Sequence, residues 1–257
     1  MHKVSLGTAC LLFSILSLHA QSPLEKGLQS INRTSAEAIV EFLADDELQG
    51  REAGMHGSRV AARYIVSRLK QDGIRPLDEN SYYQSFEACS KERQQRRRWQ
   101  VHPDSVAILK QGTHRSLKMN NVLAYIPGRR SDEYVIIGAH FDHLGVDETL
   151  ANDKIYNGAD DNASGVSAVL QIAHAFILSG QKPLRNVIFA FWDGEEKGLL
   201  GSKYFVQHCP FLKQVKSYLN FDMIGRNNKP ERPQHVVYFY TAAHPVFGDW
   251  LKQDIVR

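Results

Sequence analysis

The chain has 257 residues, 43% of them hydrophobic and 23% charged, which is enough for one sizeable core and excludes a disordered or fibrous polypeptide. A formal net charge of only +3 gives no electrostatic basis for nucleic-acid binding. Three cysteines in all exclude a disulfide-stapled scaffold.

The N-terminus reads as a leader. Met1-His2-Lys3 is short and basic, residues 6–18 are apolar, and Ala20 offers a small residue for cleavage. That is the pattern of a secretory signal peptide, whose apolar core is too short to span a bilayer. Residues 1–20 are expected to leave, taking Cys10 with them, and 21–257 to form one periplasmic or secreted domain. No second apolar stretch reaches spanning length, so a soluble mature chain without a membrane span is expected. Cys89 and Cys209 remain, and spacing alone does not say whether they pair. Nothing in the sequence sets an oligomeric state.

Residues 35–48 follow as a helix, with Ile39, Val40, Phe42 and Leu43 as its apolar face. Gly50, Gly54 and Gly57 interrupt, and a second helix spans 58–70 before Asp72-Gly73 closes it. Residues 74–120 read as a hairpin-like region with a surface excursion around 87–120, where the basic run 91–98 is a solvated loop. Beyond it come strands over 122–126 and 134–139 and a helix over 163–178. A strand over 187–192, a short helix over 201–207, and strands over 217–221 and 236–240 complete the series. Strands apolar on both faces, separated by helices, predict a three-layer α/β/α fold with a mixed, mostly parallel central sheet.

Metal-capable side chains stand where these strands end. The 134–139 strand runs into His140-Phe141-Asp142-His143, the 187–192 strand into Glu195-Glu196, and the 217–221 strand into Asp222. Asp160-Asp161-Asn162 precedes the long helix. Each cluster alone has a simpler reading: a histidine satisfied by backbone, a helix cap, a solvated glutamate pair. Together they would converge on the carboxyl edge of one sheet, where α/β folds place their sites. Carboxylates crowded in that way repel one another unless a divalent cation offsets the charge. Histidine with carboxylates suits Zn²⁺. One of two adjacent glutamates can bind metal while the other accepts a proton, and Asp142 can orient the His140 imidazole from outside the ligand set.

The stretches AHFDHLG at 139–145, GADDNASG at 158–165, FWDGEEKGLLGS at 191–202 and NFDMIG at 220–225 resemble the M28 family of zinc exopeptidases, as do LQGREAG at 48–54 and AARYI at 61–65. The resemblance covers about 35–228 and implies an exopeptidase, an aminopeptidase by preference, acting on peptides or small proteins. It implies His140 and Asp222 as ligands of one zinc, Asp161 as the bridge to a second, and Glu196 as a ligand of that second ion. Glu195 is implied as general base, Asp142 as the outer carboxylate, and Asp161–Asn162 as a cis peptide. His143 and Asp160 receive no ligand role. The family's late histidine has no counterpart: His235 and His244 stand outside that motif and are read as structural. The second zinc site is therefore expected to be incomplete and the last strands of the fold to be missing. Two alternatives follow, a non-catalytic zinc-binding remnant and a glutaminyl cyclase, which shares the fold; His140-Phe141-Asp142 argues against the cyclase.

Overall fold

The computed structural model describes residues 22–92, 98–227, 229, 231, 237–241 and 245–255. The expected leader at 1–20, the centre of the basic run, His235 and His244 lie outside the described residues.

Helix α1 (Pro23–Leu28) opens on Ser22, whose hydroxyl accepts from the Glu25 N–H while the Glu25 carboxylate accepts from Ser22 N. Two free donors are thus closed reciprocally. Helix α2 (Arg33–Leu43) starts at Asn32, whose Oδ1 accepts from Ser35 N. The expected continuation to 48 does not occur. Ala44 leaves helical geometry, and Asp45 caps a separate 3-10 turn, Asp46–Arg51, through Glu47 N. Helix α3 (His56–Gln71) abuts that turn so closely that a Cβ on Gly57 would lie 1.6 Å from the Leu48 carbonyl oxygen. Only glycine permits that approach.

Strand β1 (Arg75–Pro76) and strand β2 (Tyr83–Lys91) precede helix α4 (Pro103–Lys110) and strand β3 (His114–Ile126). β2 and β3 pair antiparallel from Tyr83↔Val122 to Lys91↔His114, so the hairpin expected in this region exists and α4 is part of its excursion. Strand β4 (Arg130–His140) leads to a two-stranded ribbon, β5 (Gly145–Val146) with β6 (Ile155–Tyr156). A π-helical turn, Ala159–Ser164, feeds helix α5 (Gly165–Ser179), then strand β7 (Arg185–Trp192), helix α6 (Leu200–His208), strand β8 (Val215–Asn220) and helix α7 (Val246–Ile255). Residues 237–240, expected as a strand, form none. Phe239 within them is 95% exposed, so no packed face holds that stretch in a sheet.

The main sheet runs β1-β3-β7-β4-β8, with β2 on the same flank of β3 as β1. It is mixed: β7, β4 and β8 are parallel to one another, and β3 is antiparallel to its neighbours. Alternation along the strands divides the core. Val187, Phe189 and Phe191 of β7, with Ile137 and Ala139 of β4, pack under α2, α3 and α5. Ile188, Ala190 and Trp192, with Ile136 of β4, pack against Phe205 of α6. β7 is consequently buried on both faces, as its unbroken apolar run requires. These layers form the α/β/α sandwich expected from the sequence.

The stretch Ala159–Ser179 is, by length and composition, apolar enough to cross a membrane, contrary to the sequence expectation. In the fold it is a core element: Val166, Val169, Leu170 and Ala173 are buried beneath the sheet. Cys89 and Cys209 are both free thiols.

Candidate metal centre

β4 is the strand with parallel neighbours on both sides. Its C-terminal end therefore lies level with those of β7 and β8: His140 stands opposite Trp192, and Gly138 opposite Asn220. The residues just beyond these ends, Asp142, Glu195, Glu196 and Asp222, meet on one sheet edge. Asp161 arrives from the π-helical turn at the start of α5, through a cis Asp161–Asn162 peptide bond. All six residues singled out from the sequence are thus brought together.

His140 is almost sealed, with 3% of its side chain exposed. Its Nε2 lies 3.1 Å from Asp161 Oδ1 and 3.5 Å from Asp222 Oδ1. Donors around a tetrahedral zinc, each about 2.0–2.2 Å from the ion, stand roughly 3.3–3.5 Å apart, so this spacing fits such an ion. Burial pulls the His140 pKa down, but hydrogen bonds with Asp142, Asp161 and Asp222 prevail and push it up to about 12. Asp161 moves the opposite way, lowered by its hydrogen bond with His140 against the effect of burial.

Asp142 is fully buried. Its carboxylate accepts from Glu195 N at 2.9 Å and Glu196 N at 3.3 Å. His140 Nδ1 is nearer the Asp142 main-chain oxygen, at 3.1 Å, than its carboxylate, at 3.8 Å. Asp142 therefore grips the loop that carries the two glutamates at least as firmly as it orients the imidazole. Burial raises the Glu195 pKa, opposed by His140 and reinforced by Asp142, Glu196 and Asp222. That is the direction a proton acceptor working near neutral pH requires.

The turn bearing Asp161 clasps the segment after β8. Asn162 Nδ2 donates to Phe221 O, Ile224 N donates to Ser164 Oγ, and Gly225 N donates to Asp160 Oδ1 at 2.7 Å. Asp160, given no ligand role, thus holds the loop of Asp222. Gly158, at φ +63°, lets the turn lie against His143 and Arg51: a Cβ there would be 2.6 Å from His143 Cδ2.

Sequence reading missed three residues. Arg51 is fully buried; its guanidinium donates to Phe141 O (2.8 Å), Asn157 O (2.6 Å), Gly158 O (2.9 Å) and Leu43 O. Burial lowers its pKa to about 10, with Asp142 and Asp161 acting in the opposite direction. Asp193 is buried between Ser58 Oγ and Asn120 N. His143 lies with its Nδ1 2.7 Å from Glu196 Oε1 and only 10% of its side chain exposed. The described residues include two three-residue donor sets, His140–Asp161–Asp222 and His143–Asp161–Glu196, each with donor atoms within 4.8 Å of one another. One imidazole with two carboxylates is a donor set that zinc accepts.

The sequence profile described as "Peptidase family M28" matches residues 121–254. Leupeptin-inactivating enzyme 1 of Streptomyces exfoliatus is 37% identical over 122 residues, covering 46% of this chain and 24% of that protein. An aminopeptidase of Pseudomonas aeruginosa is 31% identical over 133 residues, covering 51% of this chain and 23% of that protein. The chain therefore spans about a quarter of the length of these curated relatives. Among solved structures, Porphyromonas gingivalis glutaminyl cyclase superposes with a TM-score of 0.54 at 21% identity, over 85% of this chain and 67% of that one, a likeness of fold.

Proposed function

This chain belongs to peptidase family M28, and from that premise we propose that it is a zinc-dependent exopeptidase, an aminopeptidase by preference, that hydrolyses terminal peptide bonds. The observation that carries the proposal is the pair of donor sets sharing Asp161 at the carboxyl edge of three parallel strands. His140, Asp161 and Asp222 would hold one zinc, and Asp161 and Glu196 would contribute to a second. Zinc, when bound, supplies a Lewis acid that polarises a carbonyl and acidifies water.

The rest is done by the chain's own groups. Glu195, its pKa raised by burial, takes a proton from the water that attacks the scissile carbonyl carbon. It delivers that proton to the amine as the carbon–nitrogen bond breaks. Asp142 holds the Glu195 and Glu196 main chain through its two carboxylate oxygens, so the proton acceptor and the ligand keep their separate directions. The basic start and apolar run within residues 1–20 support export to the periplasm or medium.

The test is hydrolysis of aminoacyl and short peptide substrates by the purified chain. Activity should vanish with chelator, return with zinc, and fall about 10²–10⁴-fold in Glu195→Gln, the range expected for loss of a general base. Chelator-insensitive cleavage, or an unimpaired Glu195→Gln, overturns the mechanism. A peptide with N-terminal glutamine separates the chemistries: a peptidase releases free glutamine, whereas a cyclase releases ammonia and leaves the peptide chain intact. Zinc binding without turnover of either kind identifies the non-catalytic alternative.

A further inference from the structure

We infer that Arg51 is a positioning residue of the metal centre: its guanidinium fixes the spacing between the strand end that carries His140 and the turn that carries Asp161. The inference rests on the zinc-peptidase reading and deepens it by naming what holds two of the donors at ligand distance.

His140 ends β4, whereas Asp161 belongs to the π-helical turn that leads into α5. Two separate segments that present donors 3.1 Å apart need a rigid link behind them. Arg51 supplies it. Its Nε donates at 2.8 Å to the carbonyl of Phe141, the residue next to His140. Its Nη1 and Nη2 donate to Asn157 O and Gly158 O, at 2.6 and 2.9 Å, and Nη1 also donates to Leu43 O. Gly158 O accepts in addition from Ala163 N at 3.1 Å. The carbonyl that Arg51 grips is therefore one that closes the turn around Asp161. A guanidinium suits this task because its donors diverge in fixed directions from one plane.

The main chain of Arg51 adds a second grip, its carbonyl oxygen accepting from His143 N at 3.1 Å. Phe141 and His143 are thus tied to one residue on either side of Asp142. The Asp142 carboxylate holds Glu195 N and Glu196 N in turn, so the link extends to the proposed proton acceptor.

The backbone is strained to place this side chain. Gln49, Gly50 and Arg51 all have positive φ, at 48°, 63° and 49°, a conformation unfavourable for glutamine and arginine. A Cβ on Gly50 would lie 2.4 Å from Gly145 O and 2.6 Å from Tyr156 O, so the segment is pressed against the β5–β6 ribbon. Three left-handed residues in succession turn the arginine inward until none of it is exposed. Such strain persists where the surrounding structure requires the placement. A side chain needed only to fill that space could be a hydrocarbon, which carries no charge to desolvate.

The competing interpretation is that Arg51 serves stability alone, and the experiment separates the two. The full chain is prepared as wild type, as Arg51→Lys, which keeps the charge and loses the fork, and as Leu69→Ala, which opens a cavity at a fully buried position of α3. Each is titrated with zinc, melted without metal, and loaded with Co²⁺ for a visible spectrum, whose bands report coordination geometry. Arg51→Lys should bind zinc about 10–100-fold more weakly, the range for losing a group that orients ligands, and its cobalt bands should shift. Leu69→Ala should melt at a lower temperature with zinc affinity and cobalt bands unchanged. An Arg51→Lys with wild-type affinity and spectrum overturns the inference. So does a Leu69→Ala that loses as much zinc affinity as Arg51→Lys. Either result leaves the peptidase reading standing, whereas a wild type that binds no zinc overturns both. If Arg51→Lys does not fold, hydrogen exchange of the Arg51 Nε–H in the wild type, followed by NMR, decides. It should be as slow without zinc as with it, because the link does not depend on the ion. Exchange that becomes fast on zinc removal shows that the metal, and not the arginine, sets the spacing.

Discussion

Asp193 is the residue whose chemistry is most at odds with its surroundings. Burial first, and the neighbouring charge of Asp142 second, push its pKa from 3.8 up to about 8. The folded chain therefore retains a proton there that the unfolded chain has already released. This stability is fully present below about pH 4 and is lost as pH rises towards 8, by at most about 1.4 kcal/mol per pH unit. Asp193→Asn should flatten that decline, as read from urea unfolding of the zinc-loaded protein between pH 4 and 8. The amide can still accept from Asn120 N and donate to Ser58 Oγ, the partners of the carboxylate. A slope unchanged by the substitution would refute this account. The residues that end apolar strands, His140, Glu195, Glu196 and Asp222, were legible beforehand because a charge after a buried run demands an explanation. Arg51 was not legible, since its partners are carbonyls from separate segments and carbonyls leave no mark on a sequence. His143 was visible but unassigned, because its neighbour Glu196 lies 53 positions away.

At the scale of elements, the site depends on how α5 begins. A Cβ on Gly165 would lie 2.3 Å from both Asn162 Oδ1 and Phe221 O. Neither can yield easily, because Asn162 bonds both Phe221 O and Gly165 N. Gly165→Ala should therefore cost about 1–3 kcal/mol, as overpacking does, and should weaken zinc binding by moving Asp161 and Asp222 together. Gly112→Ala, with nothing within 4 Å of the added carbon, is the control. Equal zinc affinity in the two variants would count against the coupling. Periodicity found most of β7 and the 134–139 part of β4, whose apolar runs pair with each other, and missed the polar start of β4 at 130–133. It found only the last five residues of β3, because 114–121 is polar and is extended through its pairing with β2. The end of α2 was misplaced because Asp45 caps a new turn instead of continuing the helix.

For the molecule as a whole, metal and stability are linked. Zinc at a hundredfold excess over its dissociation constant stabilises the state that binds it by about 2.7 kcal/mol per site. Removal by chelator should lower the melting temperature by roughly 5–10 °C per site for a chain of this size. An unchanged melting curve would show that the donor sets do not bind zinc.

The parallel arrangement of β7, β4 and β8 also fixes when such a site comes into being. β4 meets β7 across 52 positions at Val135↔Val187, and β8 across 82 at Val135↔Ser217. Contacts so distant along the chain form late, after the loops between them have closed. The donors of either set are strangers in the unfolded chain and become neighbours only when the sheet is assembled. Zinc is then a lock applied to a finished structure: its hold is felt in how slowly the protein unfolds, and it does not guide the early chain towards its fold.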